Sequence, residues 1–317
     1  MPPTCDITVV IPAYNASEFI VETLDSVLAQ TLPPAEIIVV DDASTDSTAR
    51  ILRSYGNAIR VLHTEQNSGT ASIPRNIGLR AARTHFVAPC DADDPMLPQK
   101  MERYAAAMAM RPDLKVLFSD FRVFGRPTSP RASHCTLHAG FKTQLQPVGD
   151  KLYLLPRADA FNALLLENYI GASAMLLHRD AVRAVGGYDE TIRAAEDIDL
   201  SLRLTEHFDF GFIDEVLQSY RLHPGSLSSN KFLHHKAIMR VLSRYTQCPI
   251  APEARQGLRR QLADLELDLA HDCGEIGRLS EGLAHWCRAL VLGGPRRTLL
   301  WPARRLVRAA AAKLGIW

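Results

Sequence analysis

"ITVVIPAYNASEFIVETLDSVLAQTLPPAEIIVVDD", residues 7–42, decides the fold. Its opening, ITVVIPAY (7–14), is a continuous run of β-branched and apolar residues, the pattern of a strand buried on both faces of a parallel sheet. SEFIVETLDSVLAQ (17–30) opens with a cap-like Ser17 and sets Phe19, Ile20, Leu24, Val27 and Leu28 at helical spacing. AEIIVVDD (35–42) is a second buried strand. Strand, helix and strand in so short a span make one βαβ unit.

The rhythm continues outward from there. Residues 44–55 read as a capped second helix, 59–65 as a third strand, 70–82 as a third helix and 84–90 as a fourth strand. That alternation implies an α/β doubly wound sheet, in which ligands bind beyond the carboxyl ends of the strands. Asn15 follows strand one, Asp41 and Asp42 end strand two, and Asp91, Asp93 and Asp94 follow strand four. Polar groups from three strand ends therefore converge on one crevice.

FVAPCDADDPMLPQ (86–99) packs three carboxylates into four positions. Like charges so close raise one another's pKa, and the arrangement asks for a positive partner. Asp91 and Asp93 could both reach one Mg²⁺ or Mn²⁺ carrying a ligand's phosphates. The plainer alternative, that Asp93 or Asp94 caps a helix starting near Pro95, needs only one acid. A carboxylate of the Asp41–Asp42 pair could accept a hydrogen bond from an imide N–H such as that of uracil, and Tyr14 could stack on a base ring. Capping of helix two falls more naturally to Ser44 and Asp46. Glu196 and Asp197 lie in the first turn of a helix over 194–208, where the helix dipole alone would favour acids. Facing the crevice after a Gly-Gly turn, one of them could also serve as a general base. In YRLHPGSLS (220–228), Arg221 and His223 could bring positive charge to a phosphate, or His223 could ligate a metal.

Composition sets the frame. The chain has 317 residues, 47% hydrophobic and 22% charged, with a formal net charge of +1. It suits one large domain or two smaller ones, and no basic field argues for nucleic acid. Six scattered cysteines without a CxxC pair speak for a reducing compartment and against a disulfide scaffold or zinc site. No signal peptide or membrane span is expected. Residues 114–120 read as a strand. The period is lost over 121–160, the mark of a lid or binding loop. A strand, a short helix and a Gly-Gly turn span 169–190, and a hairpin-like pair of strands follows at 209–228. From 231 the pattern is helical, with a Gly-containing turn between two helices. The tail over 296–317 mixes Arg296, Arg297, Arg304, Arg305, Arg308 and Lys313 with Trp301, Trp317 and aliphatic residues. That mixture suits an amphipathic helix on an anionic membrane, or else a solvated helix packed on its own domain. The expected domains are 1–230 and 231–317, in a cytoplasmic protein with peripheral contact at the inner face of the cell membrane through 296–317.

The ordered motifs VVIPAYNASEFIVETLDSVLAQT, IIVVDDASTDST, NSGTASIPRNIGLRAA, CDADD, GGYDETIRAAEDIDLSLRL and YRLHPGSLS resemble the family 2 glycosyltransferases of the GT-A fold, over about residues 5–230. The resemblance implies that Pro12, Tyr14 and Asp42 grip a nucleotide base, with Arg75 as a helper. Asp91 would lie near the ribose or metal, Asp93 would ligate Mn²⁺ or Mg²⁺, and His223 would sit near the diphosphate or metal. Asp197 would be the catalytic base, and Glu196 would touch the acceptor or support the base. The implied reaction is inverting transfer from a nucleotide-sugar, a UDP-sugar foremost, to a hydroxyl of a carbohydrate or lipid-linked acceptor, in cell-surface polysaccharide or glycoconjugate synthesis. The cation brought in with the donor would then be the missing positive partner of the acidic cluster. A nucleotidyltransferase would want a Gly-rich basic loop after strand one, and PAYNASEF has no Gly, Lys or Arg. A catalytically silent nucleotide-sugar-binding subunit predicts lost acids, and none is lost. Neither the 121–160 segment nor the helical tail matches the family's shared core, so donor sugar and acceptor stay open.

Overall fold

The apolar runs do become the central strands. A computed structural model describes residues 5–125, 139–226 and 230–294. β1 (Cys5–Ala13) is buried along its length except at Asp6 and Pro12. β2 (Pro34–Asp41) and β4 (Phe86–Pro89) flank it in parallel, and β3 (Arg60–His63) extends the sheet beyond β2. The four strands that the alternation marks as parallel are parallel.

Beyond β4 the sheet becomes mixed. β8 (Met175–His178) runs antiparallel to β4 and to β5 (Val116–Gly125). β9 (Phe210–Leu222) pairs in parallel with β5, and β7 (Leu152–Leu155) joins β9 to β6 (Gln146–Gly149) through antiparallel ladders. The order is β3-β2-β1-β4-β8-β5-β9-β7-β6.

α1 (Ile20–Leu28) and α4 (Lys100–Met110) cover one face, where Ile20, Leu24, Val27, Met101 and Tyr104 share a core with Ile7, Val9 and Ile11. α3 (Ser72–Ala81) lies against Val10, on the opposite face. Alternate residues of β1 thus feed two helical layers, as a period of two requires. α2 (Thr48–Ser54), α5 (Arg157–Leu166), α6 (Arg179–Ala184) and α7 (Glu196–Thr205) complete this part of the chain.

Four expectations need correction. Helix one starts at Ile20, not after a Ser17 cap, because the Phe19 and Ile20 N–H groups donate to Ala16 O at 3.0 and 2.9 Å, while the Ser17 N–H donates to Asp46 Oδ2 at 3.1 Å. Asp46 also accepts from Thr48 N at 2.8 Å, which starts α2 four residues later than the sequence pattern suggests. The helix after the acidic cluster begins at Lys100, so neither Asp93 nor Asp94 caps it. Residues 209–228 do not form a hairpin: β9 is one long strand whose partners come from elsewhere in the chain. The aperiodic 121–160 segment holds the end of β5, the β6–β7 pair and the start of α5, while 126–138 lie outside the described residues.

The chain divides into two compact units, residues up to 164 with 168–224, and 165–167 with 225 onward. In the second, α8 (Lys231–Ser243), α9 (Pro252–Glu275) and α10 (Leu279–Gly293) pack as helices, with Gly277 at φ +76° in the turn before α10. Among the described residues no helix is long and apolar enough to cross a membrane. The 296–317 tail lies outside them.

Gly78 shows how tightly α3 seats on the sheet. A Cβ there would stand 2.3 Å from Val10 Cγ1. An alanine in a helix ordinarily gains about 1 kcal/mol over glycine, but overpacking against a stiff valine costs about 1–3 kcal/mol. Gly78→Ala is therefore expected to lower stability in chemical denaturation. An increase would show that α3 can slide away from β1.

Candidate active site

Three strand ends are brought side by side by register. Ala13 pairs with Asp41, Asp42 N donates to Ala13 O, and Cys90 N donates to Val10 O. The loops beyond these ends therefore share one rim. Asn15, at φ +48°, staples two of them: its Oδ1 accepts from Thr45 N at 2.8 Å and its N–H donates to Ser44 Oγ at 3.0 Å. Asn15 is a loop staple, which its place after strand one did not reveal.

Pro12 is half-buried, and the Tyr14 ring is 46% exposed at the rim, open for stacking. Asp42 is buried and already holds a loop. Thr64 Oγ1 donates to its Oδ1, Ser68 Oγ to its Oδ2, and Ser68 N to the same carboxylate. A carboxylate has about four acceptor sites, so one lone pair is left for a base N–H.

The acidic cluster is braced by the chain's own cations and donors. Arg75 is fully buried and divides its guanidinium between Asp91 and Glu196: Nη2 donates to Asp91 Oδ1 and Nη1 to Glu196 Oε1. The Tyr188 ring lies 5.4 Å from the same guanidinium. Burial alone would weaken the charge on Arg75, and the two carboxylates more than restore it. Asp93 Oδ2 stands 2.9 Å from His223 Nε2. Burial and the Asp91 charge push Asp93 upward, and His223 pulls it back. Asp94 is buried, with Ser173 Oγ donating to Oδ2 at 2.7 Å and Arg221 N to Oδ1 at 2.9 Å. It is a bracket between β4, β8 and β9.

Arg221 is not aimed at a phosphate. Its Nε donates to Asp93 O at 3.0 Å, its Nη2 meets Glu22, and the guanidinium lies between Phe19 and Phe124 at 5.0 and 4.5 Å. His223 leans on the same Phe19, with ring centroids 4.5 Å apart. β9 thus ends under the acidic loop and holds it from below.

Glu196 and Asp197 begin α7 after Ala195, which sits in the left-handed region at φ +62°. A residue with a Cβ is held there only when its surroundings demand it, and α3 supplies the demand. Thr70 Oγ1 donates to Ile192 O at 2.7 Å, and Asn76 exchanges hydrogen bonds with Tyr188 N and O at 2.9 Å each. Gly187, at φ +79°, passes so close to Asn76 that a Cβ would lie 2.8 Å from Oδ1. Asp197 itself is half-buried, and its carboxylate accepts from Ile198 N at 2.9 Å. Burial foremost, then the Glu196 charge, push its pKa up to about 7, against the pull of Arg75. A carboxylate poised near neutrality and still partly open has the properties of a general base.

Asn76, Ser173, Lys100 and Gln218 escaped sequence reasoning. Lys100 is buried, with Nζ donating to Ser173 O and to Gln218 Oε1, while Gln218 Nε2 donates to Asp94 O at 2.7 Å. A signal was present in α3, where Arg75 and Asn76 occupy a stretch expected to be apolar. Nothing in the local pattern marked the others, because their partners lie far away in sequence.

An open α/β sheet whose acids gather beyond the strand ends, with a half-buried carboxylate at a helix start, is an arrangement suited to group transfer. The model of glycosyl transferase family 2 matches residues 8–166, and the chain belongs to that family of glycosyltransferases. It is 30% identical over 230 residues to TuaG of Bacillus subtilis (strain 168), provisionally named a teichuronic acid biosynthesis glycosyltransferase, covering 71% of this chain and 82% of that one. It is 26% identical over 248 residues to the glucosyltransferase WfgD of Escherichia coli, covering 77% and 88%. Among solved structures, S. aureus TarS 1-349 in complex with UDP-GlcNAc superposes with a TM-score of 0.64 at 19% identity, over 97% of this chain and 88% of that one. The mannosyltransferase PcManGT of Pyrobaculum calidifontis, in complex with GDP-Man and Mn²⁺, gives 0.59 at 18% identity, over 100% and 83%. The fold is GT-A.

The Asp197 environment gives a pH expectation of definite sign. Its folded-state pKa lies above the ordinary 3.8, at about 7. Its contribution to stability is therefore present below pH ~4 and lost as pH rises toward 7. Activity runs the other way, since a base must be ionised. kcat/KM should rise with pH to a plateau above about 7, and Asp197→Asn should abolish that limb. A flat profile across pH 5 to 8 would remove Asp197 from the base role.

Proposed function

We propose that the chain transfers a glycosyl unit from a UDP-sugar to an acceptor hydroxyl in one inverting displacement, with Asp197 as the base. The observation that carries this is the position of Asp197: half-open, raised toward neutrality, and joined through Glu196 and Arg75 to the Asp91 strand end. Asp197 takes the hydroxyl proton as that oxygen attacks the anomeric carbon. Glu196, committed to Arg75, fixes the start of α7 and with it the base.

On the donor side, Tyr14 offers an exposed ring and Pro12 a half-buried edge for the base, and Asp42 its remaining lone pair. Asp93 and His223 face each other at 2.9 Å beside the half-buried Asp91, an oxygen-and-imidazole set suited to Mn²⁺ or Mg²⁺. When bound, the cation neutralises charge growing on the leaving diphosphate. Arg75 keeps Asp91 oriented throughout. The UDP-GlcNAc complex of TarS and the Mn²⁺ complex of PcManGT support this reading of a shared fold.

For the acceptor, the named relatives point to the cell surface. TuaG is assigned to teichuronic acid biosynthesis, and WfgD is named for glucosyl transfer to an α-D-GlcNAc-diphosphoundecaprenol. A surface-polysaccharide or lipid-linked acceptor is the reading they favour, made at the cytoplasmic face of the membrane.

Two substitutions separate the roles. Asp197→Asn should lower transfer about 10²–10⁴-fold while the UDP-dependent rise in melting temperature with Mn²⁺ persists. Asp93→Ala should lose the Mn²⁺-dependent part of that rise. Full transfer by Asp197→Asn, or an unchanged Mn²⁺ effect in Asp93→Ala, would overturn the respective assignment.

A further inference from the structure

The second unit carries a cluster that glycosyl transfer does not use. Cys273 Sγ on α9 and, on α10, a Glu281 carboxylate oxygen and a His285 ring nitrogen all lie within 4.8 Å of one another. Glu281 and His285 are four residues apart on one helix, so both project from the same face. Gly282 lets the thiol come near. A Cβ there would meet Ala270 O at 3.0 Å and Cys273 Cβ at 3.1 Å, so a side chain would press α10 a few tenths of an ångström away from α9.

The rest of the cluster prepares the imidazole. His285 Nδ1 stands 2.6 Å from Glu266 Oε2, and Glu266 is two turns before Cys273 on α9. Arg288 Nε donates to both Glu266 oxygens at 3.0 and 3.2 Å, and its Nη2 stands 2.8 Å from the same Nδ1. Glu266 and Arg288 thus fix the ring from its Nδ1 side. Nε2, the other ring nitrogen, stands 4.0 Å from Glu281 Oε1. A carboxylate on one ring nitrogen that frees the other is the arrangement that orients metal-ligating histidines. Cys273, Glu266 and His285 are all buried, whereas Glu281 is half-exposed and leaves a way in. The competing contact, Arg278 Nη1 to Glu281 Oε2 at 3.5 Å, is a surface pair of little strength.

We propose that Cys273, Glu281 and His285 bind a zinc-class divalent ion that clips α9 to α10, with Glu266 as the positioning residue for His285. Thiolate, imidazole and carboxylate are the donors such ions take, and three protein ligands leave a fourth place for water. Cys273 gives up its thiol proton to solvent on binding. The site needs no CxxC spacing, because the two helices, not a short loop, bring the ligands together. It is independent of the transferase reading.

Cobalt reports on it directly. The full-length protein, stripped with chelator and titrated with Co²⁺, should develop a near-ultraviolet thiolate charge-transfer band and visible tetrahedral bands, both displaced by Zn²⁺. Cys273→Ser should lose the charge-transfer band, Glu266→Gln should weaken Co²⁺ binding about 10–100-fold, and Asp93→Ala should leave the band in place. Absence of the band in the wild type, its persistence in Cys273→Ser, or its loss in Asp93→Ala would overturn the proposal. Should Cys273→Ser fail to fold by circular dichroism, the wild-type spectrum and the Glu266→Gln affinity decide the matter.

Discussion

A single buried guanidinium holds the two halves of the site together. Arg75 reaches Asp91, at the end of β4, with one nitrogen and Glu196, at the start of α7, with another. Taking three charges out of water costs several kcal/mol per ion, and only close geometry offsets it. Both carboxylates are within direct hydrogen-bonding reach, and the Tyr188 ring lies beside the cation. Lysine could not substitute, because one ammonium cannot span two carboxylates as a planar fork does. α3 is consequently more than a layer of the sandwich. Thr70, Arg75 and Asn76, from the loop before α3 and its first turns, fix the segment that carries Glu196 and Asp197.

The crowding of aspartates after β4 is solved residue by residue. Asp91 has Arg75, Asp93 has His223, and Asp94 is satisfied by Ser173 and the Arg221 N–H. The expectation that an incoming cation alone would make the cluster tolerable is therefore too simple. The chain neutralises most of the cluster itself and leaves Asp93 and His223 facing each other beside Asp91.

How much of this could be read in the sequence depended on distance along the chain. β1, β2 and β4 were legible because burial on both faces writes itself as apolar runs, and β3 and α3 because they continue the strand–helix alternation. The gathering of Asp91, Asp93, Glu196 and Asp197 at strand and helix ends was legible because acids rarely cluster there without cause. Ser17 misled, since the Phe19 and Ile20 N–H groups that it would cap donate to Ala16 O instead. β9 misled because its alternation resembles a hairpin, and only its partners β5 and β7 show it to be one strand. Arg75 was visible as a cation but not as a bridge, for Asp91 and Glu196 lie 16 and 121 residues away. The cysteine count hid the Cys273 cluster for the same reason: its ligands come from two helices.

The most direct test of the bridge is a double-mutant cycle between Arg75 and Glu196, read by chemical denaturation. Arg75→Met alone should cost about 3–5 kcal/mol, because Glu196 is left buried and Asp91 half-buried without their cation. Glu196→Gln in that background should recover part of the loss, giving a coupling of about 0.5–3 kcal/mol. Costs that simply add, to within about 0.5 kcal/mol, would mean that Arg75 does not join the two halves.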